Sequence, residues 1–322
     1  MIEANSEPRL KHFPVTFFTM VMGLAGLSIA WHMAEQVFRL PLRVSDGLLV
    51  LAVLAFLVLL LLYLAKAVLY PGAVQAELAH PVQLNFFPAV SISLILLGVA
   101  LLDRAPGVAG ALWVVGSGLH LLLSLYVMGI WIHHEHFEIY HINPAWFIPI
   151  VGNVLVPIAG VPLGFIELSW FFFSIGILFW LLLFAIILYR VLFHHPLPER
   201  LMPTFFILIA PPSAGFVAYL QLAGPLDAFA RVLYYSGLFL TLLLLTQAGR
   251  FMRIGYYLSW WAYSFPLAAV TLATLIMYQK TDIALFAAIG WVLLTLVTLV
   301  VLYLLYRTWR AVGEKTICVP AQ

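Results

Sequence analysis

The residue types that could do chemistry are concentrated in one short stretch, HHEHFEIYH, at positions 133–141. Imidazole and carboxylate groups are ligands for zinc or nickel. The stretch contains both kinds of side chain: His133, His134, Glu135, His136, Glu138 and His141. Their spacing matches no standard metal motif, which favours a solvated loop. The alternative is that these histidines gain positive charge on acidification and attract anions.

Other titratable residues are isolated. His120 stands alone in an apolar segment, where a hydrogen-bonded packing role is favoured over a proton relay or haem ligation with His32. Glu167 ends a turn rich in proline and glycine and is interpreted as a solvated acid. We find no paired carboxylates within apolar segments, no zinc-hydrolase spacing and no nucleophile with a nearby base. The sequence therefore predicts no enzyme, no metal site and no cofactor.

Composition indicates a membrane protein. Of 322 residues, 65% are hydrophobic and 9% are charged, against roughly 25% charged in soluble domains. The net charge of +2 is too small to indicate nucleic-acid binding, and the single cysteine, Cys318, permits no intramolecular disulfide. No polar stretch reaches the roughly 50 residues of a domain. We therefore expect one transmembrane domain, residues 1–322, with tails at about 1–12 and 308–322.

Charged residues mark the ends of the spans, because one at the centre of a span costs at least ~2.5–3.5 kcal/mol. A bilayer-spanning helix needs roughly 20 apolar residues, which predicts ten transmembrane helices. The charge-free intervals are 12–34, 47–65, 78–102, 105–134, 139–166, 168–189, 201–226, 232–249, 254–279 and 283–306.

Lysine and arginine predict the orientation. The side that holds both termini carries ten of them and the opposite side carries five. Because positive residues accumulate in cytoplasmic loops, both termini are predicted to be cytoplasmic.

A repeat distinguishes the odd-numbered segments. Each contains proline and phenylalanine in its first half, and the prolines are spaced by 74, 61, 62 and 55 residues: Pro14, Pro88, Pro149, Pro211 and Pro266. Even segments such as 47–65, 170–189 and 290–306 lack proline. A helix interrupted by proline needs neighbours for its freed backbone groups, whereas an uninterrupted apolar helix suits lipid. The pattern predicts an all-α fold of five parallel hairpins, with five inner helices around a central pore. The alternative is that proline and glycine are simply commoner in membrane helices.

The predicted inner helices carry no acid or base at mid-depth. A cation pathway would show a ring of acids, and a proton-coupled carrier a buried relay. A neutral conduit that passes anions by weak binding remains. Phenylalanines beside the prolines would form constrictions, because a ring across a narrow pore excludes water. The candidate pore residues are Phe17, Phe18, Phe86, Phe87, Phe147, Pro149, Asn153, Phe206, Pro211, Ser264, Phe265 and Pro266.

Five stretches carry a family resemblance: MGLAGLSIAW (22–31), FPAVSISLILLG (87–98), NPAWFIPIVGN (143–153), LIAPPSAGFVAYL (208–220) and WAYSFPLA (261–268). With them the chain, from about 13 to 307, resembles the tellurite-resistance/dicarboxylate transporter family, which includes plant slow anion channels. The resemblance implies a quasi-fivefold pore, one per subunit of a homotrimer, in the bacterial inner membrane. It also implies that Phe265 matches the phenylalanine that occludes the closed pore.

The expected function is a channel for small monovalent anions such as chloride and nitrate. A proton-coupled carrier of C4-dicarboxylates, or of oxyanions such as tellurite or sulfite, stays open as the main alternative. A membrane enzyme or sensor is the third class.

Overall fold

The computed structural model describes residues 8–133 and 138–319, and all regular secondary structure there is helical. The α-helices are α1 (Phe18–Val37), α2 (Val44–Leu69), α3 (Pro71–Ala79), α4 (Pro88–Leu101), α5 (Pro106–His133), α6 (Ile148–Gly160), α7 (Ile166–Phe193), α8 (Ala210–Ala223), α9 (Ala228–Leu245), α10 (Ala248–Phe251), α11 (Ser264–Thr281) and α12 (Ala284–Gly313). Seven 3-10 segments accompany them: Arg9–His12, Val15–Phe17, Gln83–Phe86, Ile139–His141, Pro144–Phe147, Glu199–Ile209 and Leu258–Tyr263.

Nine helical segments of the described chain are long and apolar enough to cross a membrane. The remaining predicted interval, 139–166, is the fifth along the chain and contains a shorter apolar helix, Pro144–Gly160. It consists of four 3-10 residues followed by the 13 residues of α6. At about 2.0 Å per 3-10 residue and 1.5 Å per α residue it spans roughly 28 Å, close to the ~30 Å hydrocarbon core of a bilayer.

The helices with and without the repeated prolines differ in burial. In the four long odd-numbered segments the buried share of the apolar window runs from 72% to 94%, and every residue of α6 is buried. In the five even-numbered segments the share is only 28% to 39%. The uninterrupted helices therefore leave most of their leucine and valine side chains at the surface, where lipid would cover them.

Contacts among the buried helices form a closed cycle. Helix α1 packs against α4, α4 against α6, α6 against α8, α8 against α11, and α11 against α1. Each buried helix also packs against the exposed helix that follows it, namely α2, α5, α7, α9 or α12. Every buried helix thus has two buried neighbours and two exposed neighbours, because it also contacts the exposed helix of the preceding pair, as α4 contacts α2 and α1 contacts α12.

Four of the five repeated prolines lie where 3-10 geometry changes to α geometry, whereas Pro14 comes before the 3-10 segment Val15–Phe17. Pro88, Pro149 and Pro211 occupy the first or second residue of α4, α6 and α8, and Pro266 is the third residue of α11. The first amides of an α-helix have no partner within it, so proline there removes no α-helical bond. The predicted proline interruptions are therefore junctions between a 3-10 segment and an α-helix.

Two short helices lie in connections that the charge pattern left without structure, α3 after α2 and α10 after α9. The terminal segments meet, because the Arg9 guanidinium donates to the carbonyl oxygens of Val312 and Ile317 at 3.3 and 3.2 Å. Both ends of the described chain therefore lie on the same side of the helix bundle.

Candidate functional site

Two small cavities lie between the five buried helices, and Phe265 lines both of them. We call the one nearer the starts of these helices the inner cavity. Its lining is Thr19, Met22, Phe86, Ile148, Val151, Ile207, Ala210, Ser259, Trp261, Ala262, Phe265 and Pro266. The outer cavity is lined by Gly26, Ile29, Leu96, Val99, Leu155, Ile158, Ala214, Val217, Phe265, Ala268, Ala269 and Leu272.

The cavities are narrow and uncharged. Each has a volume of about 20 Å³, which is room for about one water molecule. The outer cavity is lined only by glycine and apolar side chains, and Thr19 and Ser259 are the hydroxyl residues of the inner one. The Thr19 hydroxyl donates to the Thr16 carbonyl oxygen at 2.7 Å, so its proton is already engaged. Ions would meet no fixed charge in either cavity.

Phe265 is held close to α1 by two glycines. A methyl group at Gly26 would lie 3.2 Å from Cδ2 of the Phe265 ring, and one at Gly23 would lie 2.1 Å from Oγ of Ser264. The side chain of Phe265 is 6% exposed. The absence of side chains at these α1 positions therefore lets α11 bring Ser264 and Phe265 against the α1 backbone.

Only three of the candidate pore residues line a cavity, namely Phe86, Phe265 and Pro266. Phe18 and Phe87 pack edge-on against Tyr63 of α2, away from the two cavities. Phe17 stacks on Phe13 with ring centroids 4.6 Å apart. Phe147 and Pro211 are buried without lining a cavity. Phe206 packs against Phe251 and Tyr263.

The remaining polar candidates join helices or satisfy backbone groups. Ser264 donates to the carbonyl oxygen of Trp261 at 2.6 Å. The Asn153 amide donates to the Pro149 carbonyl oxygen at 2.9 Å, and Ser124 of α5 donates to the same oxygen at 2.8 Å. Ser124 thus ties α5 to α6, and neither Ser264 nor Asn153 lines one of the two cavities.

His120 belongs to the same network. Its Nε2 lies 3.1 Å from the Pro149 carbonyl oxygen and its Nδ1 lies 2.9 Å from Oγ of Ser91. The imidazole is completely buried and would overlap a methyl group at Gly152. His120 therefore bridges α4, α5 and α6 as a hydrogen-bonded packing residue.

The histidine-rich stretch is described only in part, because residues 134–137 lie outside the described ranges. Among residues 8–133 and 138–319, no three histidine, cysteine, aspartate or glutamate side chains are grouped so as to hold a metal ion. The Glu138 amide lies 3.2 Å from Nδ1 of His141, which makes that pair part of the local loop structure.

Sequence reasoning missed most of the cavity-lining residues. Most of them are aliphatic and recur at helical spacing, as with Leu155 and Ile158 of α6 or Ala214 and Val217 of α8. The same spacing occurs on a lipid-facing or packing surface. The sequence pattern that could have identified these residues is an aliphatic helix face in a segment that also contains proline.

Comparison with known proteins places these features in a family. Residues 12–309 match the family described as voltage-dependent anion channel. The chain is 30% identical over 283 residues to the S-type anion channel SLAH2 of Arabidopsis thaliana, covering 85% of this chain but 54% of that protein. It is 28% identical over 311 residues to an uncharacterized transporter of Methanocaldococcus jannaschii, covering 89% and 91% of the two chains. It is 29% identical over 269 residues to the tellurite resistance protein TehA homolog of Haemophilus influenzae, covering 83% and 81%.

The chain thus spans about half the length of the plant channel and most of the length of the two prokaryotic proteins. The matched relatives are named as channels, transporters or a resistance protein, and the matched region contains all five buried helices.

Proposed function

The chain belongs to the voltage-dependent anion channel family, and from that membership we propose that it conducts small monovalent anions of the chloride and nitrate class. It is a multi-pass membrane protein of channel or transporter type and not an enzyme. The observation that carries the proposal is the position of Phe265, whose ring lines both cavities between the buried helices.

The proposed pore follows the axis enclosed by the contact cycle of α1, α4, α6, α8 and α11. In this arrangement the whole chain is one transmembrane domain of ten spans, with Pro144–Gly160 as the fifth, and five parallel hairpins surround a quasi-fivefold axis. We further propose a homotrimer in the bacterial inner membrane with cytoplasmic termini. The hydrogen bonds between Arg9 and the C-terminal segment support the placement of both termini on the same side of the membrane.

Phe265 is the proposed gate. An ion that crosses a water-sized apolar constriction must shed most of its hydration, and uncompensated burial of a charge is prohibitively costly. Removing the ring would join the two cavities into one continuous passage. Since the lining carries no fixed charge, an anion would bind weakly and leave readily, which favours fast conduction.

The test is the chloride and nitrate current of the wild type and Phe265→Ala in oocytes or planar bilayers. We expect a nearly silent wild type and a Phe265→Ala current at least about tenfold larger, equivalent to removal of a barrier of ~1.4 kcal/mol or more. The current should be linear in voltage and should not saturate at ordinary salt concentrations. Phe206→Ala is the matched control, because Phe206 is equally buried but lines neither cavity.

The opposite outcome has a definite meaning. If Phe265→Ala stays silent while the wild type takes up malate or an oxyanion in a saturable, proton-driven manner, the protein is a coupled carrier. Phe265 would then be a packing residue or part of a substrate site.

A further inference from the structure

The outer ends of α1, α2 and α4 hold a cluster of charged and polar side chains just beyond the outer cavity. A surface cavity of about 440 Å³ is lined there by His32, Glu35, Arg43, Ser45, Asp46, Leu49, Val50, Asp103 and Arg104. Apart from His32, which was weighed above as a haem ligand, none of these residues belongs to a motif or a site identified above, and their function has to be inferred from their contacts.

Asp103 and His32 are placed by the helices that line the outer cavity. Asp103 lies in the turn two residues after the end of α4, the helix that contributes Leu96 and Val99 to the outer cavity. His32 follows Ile29 of α1 by three residues. Nε2 of His32 lies 3.1 Å from Oδ2 of Asp103, and the side chain of Asp103 is 64% exposed. The carboxylate therefore faces solvent at the end of the bundle nearer the outer cavity.

The neighbouring charges are already paired. Arg104 reaches Oδ1 of Asp46 through Nη2 at 2.6 Å and through Nε at 2.7 Å, and it also donates to Oγ of Ser45. Glu35 accepts from the amide and the hydroxyl of Ser45 at 2.9 and 2.6 Å. Arg43 lies 3.9 Å from the second oxygen of Asp46. Arg104, Asp46 and Glu35 thus have partners within the cluster.

The contacts of His32 indicate its tautomer. Nη2 of Arg104 lies 3.3 Å from Nδ1 of His32, and a guanidinium can only donate. Nδ1 must therefore accept, which leaves the proton of a neutral ring on Nε2, pointed at Asp103. Nε2 of Gln36 lies 3.0 Å from the same Nε2 of His32, and with this tautomer the Gln36 side-chain amide has to be turned over so that its oxygen accepts the hydrogen bond. With neutral His32, the negative charge of Asp103 has a hydrogen bond but no cationic partner.

Protonation would change this balance. A protonated imidazole donates from both nitrogens, so its Nδ1 would oppose the Arg104 guanidinium. Arg104 is held by Asp46, Ser45 and the Ala100 carbonyl oxygen, so the imidazolium would shift toward Asp103 and form an ion pair. Histidine is the side chain that changes charge between about pH 5 and 8.

We propose that His32 and Asp103 form an outer charge filter that sets how readily anions reach the pore. Neutral His32 leaves the carboxylate to repel anions, and protonated His32 cancels that repulsion. The inference rests on the proposed anion conduction, and it is therefore tested in Phe265→Ala, whose current reports conduction separately.

The first measurement is the chloride current of Phe265→Ala with and without Asp103→Asn. A unit charge near the mouth of a pore, partly screened by salt, changes local anion occupancy by about two- to fourfold. We expect Asp103→Asn to raise the current by that factor, and the increase to shrink between about 50 mM and 500 mM salt. Asp103→Glu keeps the charge and should leave the current unchanged. Glu167→Gln, an exposed acid at the start of the exposed helix α7, should also have no effect.

The second measurement varies the pH of the bath that faces the loop between α1 and α2. Acidification of this bath should raise the current of Phe265→Ala by a similar two- to fourfold factor. Both His32→Gln and Asp103→Asn should remove this rise in current. The first removes the group that takes up the proton, and the second removes the negative charge that protonated His32 would cancel.

The outcomes separate the two proposals. A conducting Phe265→Ala whose current ignores Asp103→Asn and bath pH overturns the charge filter and leaves anion conduction standing. A silent Phe265→Ala overturns both. Loss of the pH response in Asp103→Asn alone supports the filter even if His32→Gln fails to fold.

Discussion

At the scale of single residues, the absence of side chains matters as much as their presence. Gly23 and Gly26 on α1 face Ser264 and Phe265 on α11, and neither glycine has a positive φ that would demand it. What these positions require is space, because α1 and α11 approach each other closely there. Such close approach by way of small residues is common between membrane helices.

Gly23→Ala is predicted to destabilise the protein. Its new methyl group would lie 2.1 Å from Oγ and 2.7 Å from Cβ of Ser264, so α1 and α11 must separate. Overpacking of this kind costs about 1–3 kcal/mol. We expect a lower midpoint of thermal aggregation, measured by size-exclusion chromatography in detergent. Adding Ser264→Gly to Gly23→Ala removes the clashing atoms and should restore part of the loss. An unchanged midpoint in Gly23→Ala would contradict the packing argument.

At the scale of elements, a buried ion pair ties the end of α2 to α3 and to the segment before α1. Nζ of Lys66 lies 3.0 Å from Oε2 of Glu77 and donates to the Phe13 carbonyl oxygen at 2.8 Å. Tyr63 donates to the same carboxylate oxygen at 2.7 Å. The pair thus connects α2, the connecting helix α3 and the segment before α1. Thr19 and Phe86, which line the inner cavity, follow these anchored segments.

Glu77→Gln is predicted to cost about 3–5 kcal/mol, because it leaves the buried Lys66 ammonium without its counter-charge. Lys66→Met combined with Glu77→Gln should cost less, since no buried charge then stays unpaired. Thermal stability in detergent is the measurement. Glu314→Gln breaks the exposed pair of Arg310 and Glu314 and should change stability little. Equal losses in the single and double variants would show that the charge is not the cause.

At the scale of the whole molecule, the two terminal segments meet on one side of the bundle. Arg9 bonds to Val312 and Ile317, and Cys318 follows at once in the same segment. Cys318 is half-buried, and burial raises the pKa of its thiol. Since the thiolate is the reactive form, this packing should protect the thiol near neutral pH.

Alkylation of Cys318 is predicted to be slower in the folded protein than in the same protein unfolded in denaturing detergent. The sign follows from the raised pKa, because less thiolate is present at a given pH in the folded state. The folded rate should therefore keep rising above about pH 8.5, where an unperturbed thiol is half ionised. Cys318 is the only cysteine in the chain, so mass spectrometry with iodoacetamide reports this site alone. Equal rates in the two states would rule out the docked tail.

The amino-acid sequence alone was enough to predict a membrane protein and to separate its buried helices from its exposed ones. Nine of the ten charge-free intervals contain a long apolar helix, and the tenth contains a shorter one. The segments with repeated prolines are the buried ones. These features are local, because the cost of placing a charge or an unsatisfied backbone group in lipid depends on the segment itself.

Which side chains line the cavities, and which residues far apart in the sequence come into contact, depends on the tertiary structure. Phe18, Phe87 and Phe265 all lie within four residues of a repeated proline, yet the first two pack on Tyr63 and only Phe265 lines the two cavities. The rotation of each helix about its axis determines which phenylalanine lines a cavity. The sequence does not reveal that rotation, because an aliphatic face that lines a pore has the same residue spacing as one that contacts lipid. The pairing of His32 with Asp103 joins residues 71 positions apart, and such long-range contacts depend on how the helices pack rather than on any local pattern.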